Sequence, residues 1–227
     1  MCGRFTLYAD LPVVARFVQA PEPEFDWTPR YNIAPTQPIL ACRPNSQRDA
    51  RELVRLRWGL VPHWAADLSA GVKAINARAE TVADKPSFRA AFKARRCVIP
   101  PSGFYEWQKV GKAKQPYFIH PRAGELFAFA GLWEVWTKGG SPVESCTIIT
   151  TTANDATWHP HERMPVILEP PHFAAWLDPL TPPPILHELL RPCPASRIAF
   201  HAVAPLVGNV RNDGPELRAP AADLFTA

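Results

Sequence analysis

Cys2 has the most unusual chemical prospect in this chain, because only Met1 precedes it. A residue as small as cysteine in second place permits removal of Met1. Cys2 would then carry a thiol and a free α-amine on one carbon skeleton. Such a 1,2-aminothiol condenses with an aldehyde to an imine, and the thiol closes the product to a five-membered thiazolidine. With unperturbed pKa values of about 8 for the amine and about 8.5 for the thiol, both groups are largely protonated at neutral pH. Fast reaction therefore needs a neighbouring acid/base group. The plainer alternative is that Cys2 is a small buried hydrophobe.

Three other stretches supply groups of the required kind. Glu106 stands between Tyr105 and Trp107 on a segment that follows the turn Pro100-Pro101-Ser102-Gly103. A carboxylate flanked by aromatics is partly desolvated, which raises its pKa toward neutrality and suits acid/base work, unless it simply points into water. His161 lies in the proline-framed run His159-Pro160-His161-Glu162-Arg163-Met164-Pro165. Two histidines across a proline are metal ligands in principle, but no nearby carboxylate or cysteine completes a site, and a general acid/base role fits better. Asn76, Arg78 and Glu80 alternate, so in an extended segment they share one face. Trp64, on the Gly/Pro-punctuated turn from Trp58, is either a stacking surface for a base or a core anchor. The hydroxyls of Thr150 to Thr152 suit phosphate contacts.

The elements that must position these groups are short. Twenty-seven prolines in 227 residues break long helices, while 47% hydrophobic and 20% charged residues describe a globular chain of one domain. Helices are expected after Asp10, as its cap, over Leu11 to Val18, and over Phe88 to Arg95, Pro171 to Leu177 and Pro184 to Leu190. A helical stretch is also expected from Ala74, interrupted at Pro86. Strands are expected at Ile39 to Cys42, Leu53 to Trp58, Arg96 to Ile99, around Glu106, Pro116 to His120, Leu126 to Trp136, Cys146 to Thr151, Val166 to Leu168 and Ile198 to Val203. Pro21 to Pro38 reads as a loop, and Val207 to Gly214 as a polar closing loop.

A net charge of +4 permits an acidic partner such as nucleic acid without demanding one. Five cysteines without a CxxC pair, and no signal peptide, lead us to expect free thiols and a soluble, cytoplasmic protein. No apolar run is long enough for a membrane span.

Taken together, Met1-Cys2-Gly3-Arg4-Phe5, Asn76-Ala77-Arg78-Ala79-Glu80, Pro101-Ser102-Gly103-Phe104-Tyr105-Glu106-Trp107 and His161-Glu162-Arg163-Met164-Pro165 resemble the SOS-response-associated peptidase (SRAP) family, of the YedK/HMCES type. The resemblance runs from residue 2 to about 214, in the family's order. It implies an α+β fold: a strongly bent, mostly antiparallel β-sheet or open barrel with peripheral short helices, in a single domain over residues 1–227. It implies a covalent crosslink to abasic sites in single-stranded DNA, nucleoid association when bound, and protection of the lesion during the DNA damage response. Cys2 would be the nucleophile, Asn76 would place its amine and the opened sugar, Glu106 would shuttle protons, and His161 would assist imine formation and reversal. Arg4, Trp64, Arg78 and Thr151 match positions that line the DNA groove. No cofactor or metal and a monomeric state are expected. Ala65 replaces a second aromatic found in some relatives, and the loop over residues 208–212 has no assigned role. Two rival readings stand beside this one: a cysteine peptidase using Cys2 and His161, limited to self-processing, and a non-covalent single-stranded DNA binding module.

Overall fold

The computed structural model describes residues 2–111, 113–155 and 161–223. Twelve strands among them are β1 (Phe5–Leu7), β2 (Arg30–Ile33), β3 (Pro38–Pro44), β4 (Arg51–Trp58), β5 (Asn76–Arg78), β6 (Arg96–Ile99), β7 (Gly103–Val110), β8 (Ala113–Pro121), β9 (Phe129–Trp136), β10 (Val143–Thr152), β11 (Arg163–Pro165) and β12 (Ile198–Ala202). The helices are short and peripheral: α1 (Leu11–Val18), α2 (Arg89–Ala94), α3 (Phe173–Leu177) and α4 (Pro183–Glu188).

The strands form two sheets. One is antiparallel throughout, in the order β12-β8-β7-β1-β2. The other runs β10-β4-β3-β6-β9, and a further β9–β10 pairing closes it into a five-stranded barrel. The expected α+β architecture of bent, mostly antiparallel sheet with peripheral helices is therefore present, and the barrel's circuit is complete. Among the described strands only the β10–β4 and β10–β5 pairs are parallel.

β10 is the strand on which the site depends. Its burial is nearly continuous from Ser145 to Thr151, as expected of a strand covered on both faces. One edge pairs first with β9 and then, over Thr150 to Thr152, with β11. The overlapping registers put β4 and then β5 on the other edge, with β5 against Ile148 to Thr150. β5 and β11 thus flank the same end of β10.

Several sequence expectations change for physical reasons. Ala74 to Thr81 is not helical: Asn76–Arg78 fills the β10 edge beyond the end of β4, with backbone bonds from Ile148 to Ile75 and from Ala79 to Thr150. The supposed loop from Pro21 to Pro38 contains β2, which extends the antiparallel sheet beside β1. Asp10 supplies its backbone carbonyl to Val14 but makes no side-chain cap. The strand expected at Val166 to Leu168 falls three residues earlier, as β11.

Arg96 is 2% exposed, and besides the electrostatic pull of the Asp178 carboxylate its described hydrogen bonds all run to backbone carbonyls. Its guanidinium donates to the carbonyls of Phe92 and Lys93 at the end of α2, and of Trp176 and Asp178 at the end of α3. Helix C-terminal carbonyls carry partial negative charge, so the cation is compensated by two helix ends. Burial still pushes its pKa down to about 10. Gly59 adopts φ +123°, and a Cβ there would lie 2.6 Å from the Gly71 carbonyl oxygen. That close backbone approach shapes the turn leading to Trp64. No helix among the described residues is long and apolar enough to cross a membrane.

Candidate active site

Cys2 enters the site through the ladder of β1. Phe5 pairs with Phe104 and Thr6 with Gly103, and the Tyr105 N–H donates to the Arg4 carbonyl at 2.9 Å. Extending that register brings the residues before Arg4 alongside Glu106. Cys2 is fully buried, and its carbonyl oxygen accepts a 2.8 Å hydrogen bond from Asn76 Nδ2. Asn76 reaches it because β5 alternates: Ala77 and Ala79 are buried, while Asn76, Arg78 and Glu80 face the other way. The extended-segment reading of those three residues holds.

Burial raises the Cys2 thiol well above its ordinary value, and the nearby Glu106 carboxylate raises it further. The second cause places the two groups within electrostatic reach of one another. Glu106 is 4% exposed, and burial pushes its pKa up to about 7. A group with that pKa both donates and accepts protons at neutral pH. All five cysteines are free and buried. A raised thiol pKa is therefore no distinction of Cys2; its neighbours are.

His161 precedes β11, and its Nδ1 accepts the Arg163 N–H at 3.0 Å. An accepting Nδ1 leaves the proton on Nε2, so this bond selects the neutral Nε2–H tautomer. Burial acts in the same direction and lowers the pKa of His161. The neighbouring Arg163 side chain ties this corner together. It donates to the Thr150 carbonyl at 2.6 Å and to both carboxylate oxygens of Glu80 at 3.0 Å. The ends of β5, β10 and β11 are so held in one block. His159 and Pro160 lie outside the described residues. Among the described residues no group of three or more His, Cys, Asp or Glu side chains is placed to hold a metal ion.

A family model described as SOS response associated peptidase (SRAP) matches residues 1–210. The chain belongs to this family. It is 44% identical over 222 residues to a protein named abasic site processing protein YoqW from Bacillus subtilis, covering 96% of this chain and 98% of that one. It is 38% identical to the abasic site processing protein HMCES of Gallus gallus, covering 86% of this chain and 67% of the chicken protein. A crystal structure of a Bacteroides thetaiotaomicron protein superposes with a TM-score of 0.85 at 24% identity, over 97% of this chain and all of that one, which establishes the shared fold.

Within this SRAP domain the remaining expected residues lie in different settings. Arg78 is exposed beside Glu80. Trp64 is 50% exposed on its turn, with its carbonyl accepting from Lys138 Nζ at 2.8 Å. Ala65 is buried against Val61 and Trp136, so the turn presents one indole. Thr151 is 5% exposed, opposite Met164 in the β10–β11 pair. Arg4 is half-buried, and its Nη1 donates to Asn32 Oδ1 at 2.7 Å and to the Val207 carbonyl at 2.8 Å. Its guanidinium also lies 5.8 Å from the Trp107 ring centroid.

Sequence reasoning saw Arg30 to Pro35 as either a wall or an ordinary connection and gave Asn32 and Asp213 no contacts of their own. Asn32 Nδ2 donates to the carbonyls of Val207, Asn209 and Asn212. The Asp213 carboxylate accepts from the backbone N–H groups of Tyr31 and Asn32 and from Arg30. These partners are about 180 residues apart, and no local pattern announces them.

Proposed function

We propose that this SRAP protein processes abasic sites in single-stranded DNA by forming a covalent thiazolidine between Cys2 and the lesion's aldehyde, and so shields the lesion during the DNA damage response. The single observation that carries the reading is the meeting of Cys2 with Asn76 and with a buried Glu106 whose pKa lies near neutrality. The names of the relatives, abasic site processing proteins, support the substrate class.

The reaction begins once Met1 is removed. Protonated Glu106 donates to the ring oxygen of the closed sugar and takes up the proton of the 1′-hydroxyl as the C1′–O4′ bond breaks to the aldehyde. The Cys2 amine attacks C1′, and water leaves as the imine forms. Asn76 Oδ1, which is buried and has no hydrogen-bond partner among the described residues, is the acceptor that orients this amine. His161, held as the Nε2–H tautomer, moves a proton during dehydration and during reversal. The Cys2 thiol then adds across the C=N bond: sulfur bonds to C1′, and the thiol's proton passes by way of Glu106 to the nitrogen. Because burial keeps the thiol protonated, the amine reacts first and the thiol closes the ring second. Arg78 and Trp64 hold the flanking phosphates and a base, Arg4 faces the strand beside Trp107, and Thr151 lies at the groove floor.

Denaturing electrophoresis with an abasic oligonucleotide tests this directly. The wild type gives a shifted band that survives denaturation, and Cys2→Ala gives none. Cys2→Ser retains an amine and gives a band only after borohydride reduction. A full, reduction-independent adduct from Cys2→Ala would exclude the mechanism. A peptidase confined to self-processing, or a non-covalent module, gives no shifted band with any variant.

A further inference from the structure

We infer that the loop over residues 205–213 is a second wall of the DNA groove, built to contact the unstacked nucleotides on one side of the lesion. This inference rests on the proposed DNA reading and assigns a role to a segment that the reaction itself does not use.

The loop is held with unusual completeness for an irregular segment. Asn32, fully buried, spends its Nδ2 on the carbonyls of Val207, Asn209 and Asn212. Asn212 Nδ2 donates back to the Leu206 carbonyl, and Asn209 Oδ1 accepts the Arg211 N–H at 3.1 Å. Asp213 fastens the far end to β2 through Tyr31, Asn32 and Arg30. Val207 packs in the small cluster that also holds Tyr105 and Trp107, the two neighbours of Glu106.

Against this rigid backbone the exposed side chains are the wrong kind for a merely solvated loop. Leu206 is 56% and Val210 47% exposed, and Arg211 is exposed between Val210 and Asn212. Exposed apolar groups with a cation, on a preorganised loop, mark a contact surface. Continuity with the reaction centre says which partner. Arg4, two residues after the nucleophile, joins the Val207 carbonyl to Asn32 and lies over Trp107. A strand whose abasic sugar is at Cys2 therefore meets this loop within a nucleotide or two. Base faces suit Leu206 and Val210, and a phosphate suits Arg211.

The experiment uses the full-length protein and fluorescent oligonucleotides carrying tetrahydrofuran, an abasic analogue that has no aldehyde and cannot crosslink. One oligonucleotide extends only to the 5′ side of the analogue and another only to the 3′ side. Leu206→Asp and Val210→Asp replace exposed groups and leave the clamp intact. Either is expected to weaken binding about three- to ten-fold for one of the two oligonucleotides and not the other. Arg211→Ala should lower the slope of log affinity against log salt by about one for that same oligonucleotide. Unchanged affinity for both, or equal losses for both, would overturn the loop's role while leaving the crosslink assay untouched. Wild-type protein that binds neither oligonucleotide would instead overturn the DNA reading itself.

Discussion

Glu106→Gln should make the protein more stable while disabling it, and the size of the effect follows from the site. Glu106 ordinarily has a pKa of 4.5, and burial in the fold raises it to about 7. Below about pH 4.5 the folded and unfolded chains both hold the proton, and Glu106 does not distinguish them. Between these values the unfolded chain releases its proton while the folded protein keeps it. Wild-type stability therefore falls as pH rises through this window, and the loss is complete above about 7. At about 1.4 kcal/mol per pH unit, the whole window amounts to about 3 kcal/mol.

Glutamine has nearly the same shape and no charge to desolvate. The variant should therefore exceed the wild type by up to about 3 kcal/mol near pH 8, with the difference vanishing below about pH 4.5. Urea unfolding followed by tryptophan fluorescence, across that pH range, reads the difference. On a natural abasic site the variant should react about 10²–10⁴-fold more slowly, and the wild-type rate should decline above about pH 7 as the protonated acid is depleted. A Glu106→Gln protein no more stable than wild type at pH 8, or one whose advantage does not vary with pH, would refute the claim that desolvation sets this pKa.

Other outcomes follow from neighbouring contacts. His161→Ala should slow both adduct formation and release of aldehyde from a preformed adduct, and the defect should persist on a simple open-chain aldehyde; the Glu106→Gln defect should shrink there, because no ring needs opening. Single-turnover rates on both substrates distinguish the two. Arg78→Ala should reduce the salt slope of single-stranded DNA binding by about one, whereas Trp64→Ala should weaken binding with little change in slope, as anisotropy titrations at several salt concentrations would show. Arg96→Ala should cost at least about 2 kcal/mol in chemical denaturation, since four carbonyls at the ends of α2 and α3 lose a charged donor.

How much of this was legible in the sequence depends on whether the relevant interactions are local. β3, β4, β6, β7 and β10 were readable from alternation and turn chemistry, and so was the display of Glu106 beside buried Tyr105. The candidate site residues could be named from the sequence because each carries its own chemistry in a short motif. β5 was misread as helical because its conformation is imposed by the open edge of β10, more than 70 residues away. β2 was missed for the same kind of reason, lying within a proline-rich run and ordered by β1 and by Asp213. The Asn32 clamp and the buried Arg96 were invisible in principle. Their partners are backbone carbonyls, which every residue possesses and no sequence pattern advertises.

If the proposed function holds, the protonation states bear on how one surface would handle both a phosphate strand and a reactive sugar. At the buried centre the resting groups tend to neutrality. The Cys2 thiol is held protonated, His161 is held as neutral imidazole by the Arg163 N–H, and Glu106 is near half-protonated at pH 7. Cations stand outside it, with Arg78 exposed on β5 and Arg211 on the loop. A phosphate brought to the centre would meet a carboxylate and lose its hydration; at the rim it meets guanidinium groups that remain in water. The abasic sugar is the only uncharged part of the strand that is free of a base. On the proposed reading this charge distribution keeps phosphates at the rim, and the missing base is what lets the sugar of the lesion reach Cys2.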